Sequence, residues 1–203
     1  MSPATTASLP KGLRQRVGQS RLGTLLVLAV TAAIVMGGAF VIDRPAAAKA
    51  GVSAVTVAAG DGPAPTIGSA AQNFTATTVD GKKVSLSSYK GHPVWVTFGA
   101  SWCGACQAEA PDVEATFAKY KAAGVVVLAV SIQESSQTVL AYGQRLGLTY
   151  PQIADTNDTI AAAYRVNGIP AHFFIDKSGI LRSMKTVALS PDQMDATLKE
   201  ITQ

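Results

Sequence analysis

The stretch "VTFGASWCGACQAEAP", Val96 to Pro111, carries Cys103 and Cys106, the only two cysteines of the chain. Just before them, "PVWVTFGA" (Pro93–Ala100) is continuous, apolar and β-branched, the pattern of a strand buried on both faces. Beyond them, Ala110, Val113, Phe117 and Tyr120 recur at helical spacing. That spacing predicts a helix from about Cys103 to Ala123, with Gly124 as its C-terminal cap. The pair therefore sits where a buried strand hands over to a helix. Unpaired N–H groups and the helix dipole favour a thiolate at such a place. Cys106 lies three residues on, on the same helical face and within disulfide reach. One exposed, activated thiol beside one covered thiol makes a two-electron exchange site.

Two blander readings compete. A structural zinc site wants four ligands, and the chain offers no further cysteine and only His92 and His172. A purely structural staple closing so short a loop stabilises little. Redox chemistry is the stronger expectation.

Working outward, "NFTATTVDGKKVSLSSYKG" holds two extended runs about Asp80-Gly81, a hairpin signal. "VVVLAVSI" (Val125–Ile132) reads as a second buried strand, and "SQTVLAYGQRLG" as a helix ending near Gly147. After "TYPQI" comes a short helix, "NDTIAAAYRV", then the strand "IPAHFFID" (Ile169–Asp176) and a turn at "DKSGI" into "ILRSMKTVAL". The last helix starts at Ser190, with Pro191 in first position, Gln193 completing a capping box, and Leu189 with Met194 as a hydrophobic staple. The predicted order is ββ, β-α-β-α, β-β-α: an α/β domain with a mixed central sheet, helices on both faces and an N-terminal β-hairpin extension.

Residues 22–42, "LGTLLVLAVTAAIVMGGAFVI", are uncharged. As a helix they would extend about 31 Å, against an apolar bilayer thickness of roughly 30 Å. Lys11, Arg14, Arg16 and Arg21 precede them with no acidic residue, so the positive-inside rule leaves residues 1–21 in the cytoplasm and exports the rest. Those four account for the net charge of +4; from Asp43 onward 13 basic residues balance 13 acidic ones. The positive charge is thus topogenic, and no nucleic-acid partner is expected. "AKA" at Ala48–Ala50 resembles a cleavage site, but the apolar run is about twice the usual length of a signal-peptide core. The expected organisation is a cytoplasmic N-terminus (1–21), a single-pass transmembrane anchor (22–42), an Ala/Gly/Pro-rich tether (43–68), in which "VSAVTV" has the pattern of a short strand, and a globular domain (69–203).

"FGASWCGACQAEAP", followed about 60 residues later by "VNGIPAHFFIDKSG", resembles the thioredoxin-like superfamily, and within it the TlpA/ResA-like membrane-anchored thiol-disulfide oxidoreductases, relatives of the AhpC/TSA and Redoxin proteins. The resemblance runs from about Ala70 to the C-terminus. It implies a thioredoxin-like fold, Cys103 as nucleophile and Cys106 as resolving thiol. It implies that Trp102 flanks the site, that Pro170 is a cis-proline facing the pair, and that Ile169 offers backbone groups to a substrate. Pro111 matches the proline that kinks the active-site helix. Glu109 matches a glutamate that influences cysteine titration in ResA-like proteins; a carboxylate there would raise the thiols' pKa values and could relay a proton. A solvated helix glutamate is the alternative. Thioredoxin's buried aspartate falls at Thr97. Gln72 and Ala171 depart from the family's usual proline and threonine, and Gly104-Ala105 lacks thioredoxin's proline.

The implied activity is disulfide exchange with proteins outside the cytoplasm, in the reducing direction. Cysteine pairs of apocytochrome c are candidate substrates, with a membrane thiol electron donor. No metal and no cofactor beyond the Cys103–Cys106 disulfide are expected. Three alternatives stand beside it. An oxidase or isomerase would use the same cysteine pair in another direction, and the Gly104-Ala105 dipeptide leaves that direction open. A peroxiredoxin-like peroxidase shares the fold, but its proline and threonine positions fall at Val96 and Ala100. A Sco-type copper chaperone would use His172, to which strand alternation gives an outward side chain, but its cysteine spacing differs, and a lone strand histidine is more often a surface or a satisfied core residue.

Overall fold

The computed structural model describes residues 25–34, the backbone of 56–57, and residues 63–203. The chain divides into two compact units, Met1–Ala48 and Lys49–Gln203. In the first, residues 25–34 are helical (α1). Among the described residues no helix is long and apolar enough to cross a membrane; the remainder of the expected anchor, the N-terminal 21 residues and most of the tether lie outside them.

The second unit is built on a five-stranded sheet. Strands β4 (Val94–Gly99), β5 (Val126–Ile132) and β6 (Gln152–Asp155) run parallel, while β7 (Ala171–Ile175) and β8 (Leu181–Lys185) are antiparallel to their neighbours. The order is β6-β5-β4-β7-β8, placing β4, which leads to the cysteines, at the centre. Its alternation explains its composition. Val94, Val96 and Phe98 enter one core with Leu128, Val130, Ile153, Tyr164 and Phe173. Trp95 enters the other, with Phe117, Phe174, Met194 and Leu198. Burying each such large side chain contributes about 1.5–3 kcal/mol.

Helices α2 (Gly104–Tyr120) and α5 (Pro191–Thr202) cover the Trp95 face; α4 (Thr159–Ala163) packs on the other. A further helix, α3 (Ser136–Leu146), follows β5 and packs beside β6. A smaller antiparallel sheet, β1 (Thr56–Val57), β2 (Phe74–Thr77) and β3 (Lys83–Ser85), precedes the main one. It contains the expected hairpin, turned by Gly81 at φ +86°, and a short strand within "VSAVTV". The Ser190 capping box forms as the sequence predicts, and Gly124, at φ +82°, closes the 3₁₀ turn after α2.

Two sequence expectations need correction. No strand is expected at "TYPQI"; β6 begins at its Gln152 and runs on to Asp155, at the sheet edge. It is only four residues long, with polar Gln152 and Asp155 at its ends, yet all four are buried. Asp155 is inside because its carboxylate accepts the N–H groups of Thr159, Ile160 and Ala161 at 2.8–2.9 Å, capping α4. The second concerns His172, expected to point outward. Both faces of β7 are buried, and His172 shares the Trp95 face, fully enclosed beneath α2.

Candidate active site

Strand β4 ends at Gly99, where a Cβ would stand 3.4 Å from both Cβ and Sγ of Cys106. Glycine gives the active-site helix room to start against the strand end. Cys103 is that helix's N-cap, in extended conformation (φ −86°, ψ 109°), and its Sγ accepts the N–H of Cys106 at 3.1 Å. A first-turn N–H aimed at this sulfur stabilises negative charge on it once the bond to Cys106 is reduced.

Cys103 and Cys106 form a disulfide, their Cα atoms 5.2 Å apart. The expectation of one exposed thiol is not met in this oxidised form: Cys103 is 8% and Cys106 7% exposed. The exposed group beside them is Trp102, at 58%. Across the pair, the Ile169–Pro170 peptide is cis, Ile169 packs against the cluster of Ala100, Cys103 and Cys106, and its carbonyl oxygen lies 4.0 Å from Cys103 Sγ. The sequence thus brought Trp102, Cys103, Cys106, Ile169 and Pro170 into one site.

Glu109 is not a solvated helix residue. It is 6% exposed, on the inner face of α2. Its Oε2 accepts the Leu189 N–H at 3.1 Å, and its Oε1 lies 3.4 Å from Nε2 of His172. With Cys106, Thr97, Ser131, Tyr142 and Tyr150 it lines a cavity of about 40 Å³, enough for a water molecule. Burial pushes the phenols of Tyr142 and Tyr150 up, with nearby Glu109 adding to the shift, so both are neutral hydroxyls beside the carboxylate.

One residue the sequence reading missed is Glu134, in the turn after β5. Buried at 6% exposure, it accepts the Ser101 N–H at 2.8 Å through Oε2 and the Ser101 hydroxyl through Oε1. The available signal was a carboxylate directly after an apolar strand whose end must face the cysteine loop. Gln107 Nε2 donates to the Ser101 carbonyl at 2.6 Å, completing the brace. Among the described residues no group of three or more His, Cys, Asp or Glu side chains gathers as metal ligands would.

With this geometry in hand, the similarities are specific. The AhpC/TSA family model matches residues 67–184. The thiol-disulfide oxidoreductase ResA of Geobacillus kaustophilus is 33% identical over 135 residues, 66% of this chain and 78% of that protein. A thiol:disulfide interchange protein of the thioredoxin family from Chlorobium tepidum superposes with a TM-score of 0.63 at 29% identity, covering 69% of this chain and all of that one. A secreted Mycobacterium tuberculosis disulfide oxidoreductase gives a TM-score of 0.58 at 25% identity, covering 63% and 95% respectively. The chain belongs to the AhpC/TSA family, as a thioredoxin-fold thiol-disulfide oxidoreductase of the TlpA/ResA-like kind.

Proposed function

We propose that this oxidoreductase is a membrane-anchored reductase of protein disulfides on the outer side of the cytoplasmic membrane, with cysteine pairs of apocytochrome c as a substrate class. The observation that carries the exchange chemistry is the Cys103–Cys106 disulfide at the start of α2, facing the Ile169 carbonyl. Residues 22–42 and the basic flank before them support the location.

In the reduced enzyme, the Cys103 thiolate attacks one sulfur of the substrate disulfide and expels the other as a thiolate, leaving a mixed disulfide. Glu109 accepts the proton of Cys106 through the shared cavity. The Cys106 thiolate then attacks Cys103 Sγ, re-forms the intramolecular disulfide and releases the second substrate thiolate. Two electrons pass to the substrate. A membrane dithiol donor, oxidised in turn, returns two electrons to Cys103–Cys106. The cysteine pair is the whole redox machinery, with no metal or further cofactor. Trp102 and the Ile169–Pro170 backbone form the surface that meets the substrate chain.

Equilibration of the full chain in detergent against dithiothreitol or glutathione, with thiol trapping and mass readout, tests the direction. A potential near thioredoxin's, about −270 mV, fits a reductase; one near that of a strong oxidant, about −120 mV, overturns this reading.

A further inference from the structure

His172 is used by no step above, yet it is the one histidine in the core, with no exposed surface. Its ring nitrogens have different neighbours. Nδ1 lies 3.3 Å from the indole nitrogen of Trp95 and 3.2 Å from the Thr97 hydroxyl. The indole N–H can only donate, so Nδ1 is an acceptor and the ring proton of neutral His172 sits on Nε2. Nε2 is buried and forms no hydrogen bond of normal geometry. The acceptor it faces is Oε1 of Glu109, at 3.4 Å. A buried N–H left without an acceptor costs free energy, and the Glu109 carboxylate is the acceptor within reach.

We propose that His172 is a positioning residue for thiol exchange: held in the Nε2–H form by Trp95, it keeps the Glu109 carboxylate turned toward the cavity it shares with Cys106. This rests on the proposed role of Glu109 as proton acceptor for Cys106. The Leu189 N–H donates to the other carboxylate oxygen, so Glu109 is hydrogen-bonded on one side and has His172 Nε2 within 3.4 Å on the other. Of the remaining groups around it, Thr97 and Ser131 are neutral hydroxyls on β4 and β5, and Tyr142 and Tyr150 are neutral phenols. Beyond Tyr142 stand Arg145 and Glu134, whose charges act on that phenol in opposite senses.

Thr97 occupies the strand position at which thioredoxin carries its buried aspartate. In this chain the same place holds a hydroxyl aimed at the histidine, and the acidic group comes from α2 instead. The Trp95–His172–Glu109 line couples the central strand, through its neighbour β7, to the helix that carries the cysteines.

The test uses the full chain in detergent, with His172→Leu, His172→Gln, Glu109→Gln and the double variant His172→Leu/Glu109→Gln. Two readouts are the apparent thiol titration midpoint and the rate at which a mixed disulfide on Cys103 is resolved. Glu109→Gln removes the charge, so the midpoint falls, and removes the proton acceptor, so resolution slows by about tenfold or more. His172→Leu moves both in the same directions, because the carboxylate loses the donor beside Oε1 and is no longer held toward Cys106. His172→Gln, which restores a side-chain N–H near Nε2, recovers most of the wild-type behaviour. The double variant behaves as Glu109→Gln alone. If Glu109→Gln changes neither readout, the role of Glu109 falls, and this inference with it. If Glu109→Gln acts but His172→Leu leaves both readouts unchanged, or slows the Glu109→Gln variant further, only the role of His172 is overturned. Should His172→Leu fail to fold, nitrogen-15 spectra of the wild type decide: with only two histidines in the chain, His172 must show a protonated Nε2 and an unprotonated Nδ1 at pH 7. The opposite tautomer overturns the proposal.

Discussion

Ser101 and Glu134 are joined twice: the Ser101 N–H donates to Glu134 Oε2 at 2.8 Å, and its hydroxyl donates to Oε1. They are 33 residues apart in sequence, and Ser101 lies two residues before Cys103, the proposed nucleophile. Glu134 is itself held, its carbonyl accepting the Thr156 hydroxyl at 2.9 Å. The loop that presents Cys103 is therefore fastened to the turn after β5. Glu134→Ala leaves the half-buried Ser101 N–H without that partner, a loss of about 1.5–3 kcal/mol for a hydrogen bond to a charged group. Urea unfolding of the oxidised protein should show this loss, and thiol exchange should slow as the loop loosens. Unchanged exchange would mean that α2 alone positions Cys103.

Cys106→Ser should arrest the reaction at the mixed disulfide. Cys103 can still attack, but nothing resolves the product, so a covalent adduct with substrate accumulates in non-reducing gels and mass spectra. Cys103→Ser should give no adduct and no turnover. Adduct formation by Cys103→Ser at a comparable rate would reverse the roles assigned to the two cysteines.

Trp102 stands 58% exposed beside a pair that is almost covered. A large side chain kept at the surface contributes little to stability, so Trp102→Ala should change the unfolding free energy by no more than about 0.5 kcal/mol. In the proposed function its role is contact with a partner chain. The KM for a protein disulfide should rise, while the rate with dithiothreitol, too small to reach the indole, stays near wild type. Equal losses with both substrates would show that Trp102 shapes the cysteines and not the docking surface.

How far the sequence reached depended on how local each signal was. β4 and β5 were legible because strands buried on both faces must be continuously apolar, and the cap of α5 because Ser190 and Gln193 are three residues apart. The cysteine site was legible for the same reason: strand end, cysteine spacing and helix start are contiguous. β6 escaped because its four residues are held by edge pairing and by the Asp155 cap on α4, neither of which leaves a periodic trace. For His172 the sequence leaves surface and core open, because simple alternation assumes one wet face, whereas β7 lies between β4 and β8 under helices on both sides. Glu109 was recognised as a candidate, but its burial follows from α5 packing on α2 and from the Leu189 N–H, a contact 80 residues away. Long-range polar pairs of this kind are fixed by packing and cannot be read from spacing.

Asp195 of α5 gives a prediction about acid. Hydrogen bonds from Lys119 first, then Lys199 and Tyr120, hold its carboxyl well below the usual carboxylate range. Lys119 and Tyr120 belong to α2, so the cluster clamps α5 to the active-site helix. A carboxyl whose pKa is lower in the folded protein than in the unfolded chain stabilises the fold above the unfolded value, near 3.8, and loses that contribution as pH falls toward the folded one. Asp195→Asn should therefore lower the urea midpoint at pH 7. The gap from wild type should shrink steadily below about pH 4 and narrow at pH 7 in 1 M salt, since the cluster lies at the surface. Matched urea titrations at pH 7, 4 and 2.5 read this directly. A gap that stays constant across them would assign the stability change to lost packing instead of charge.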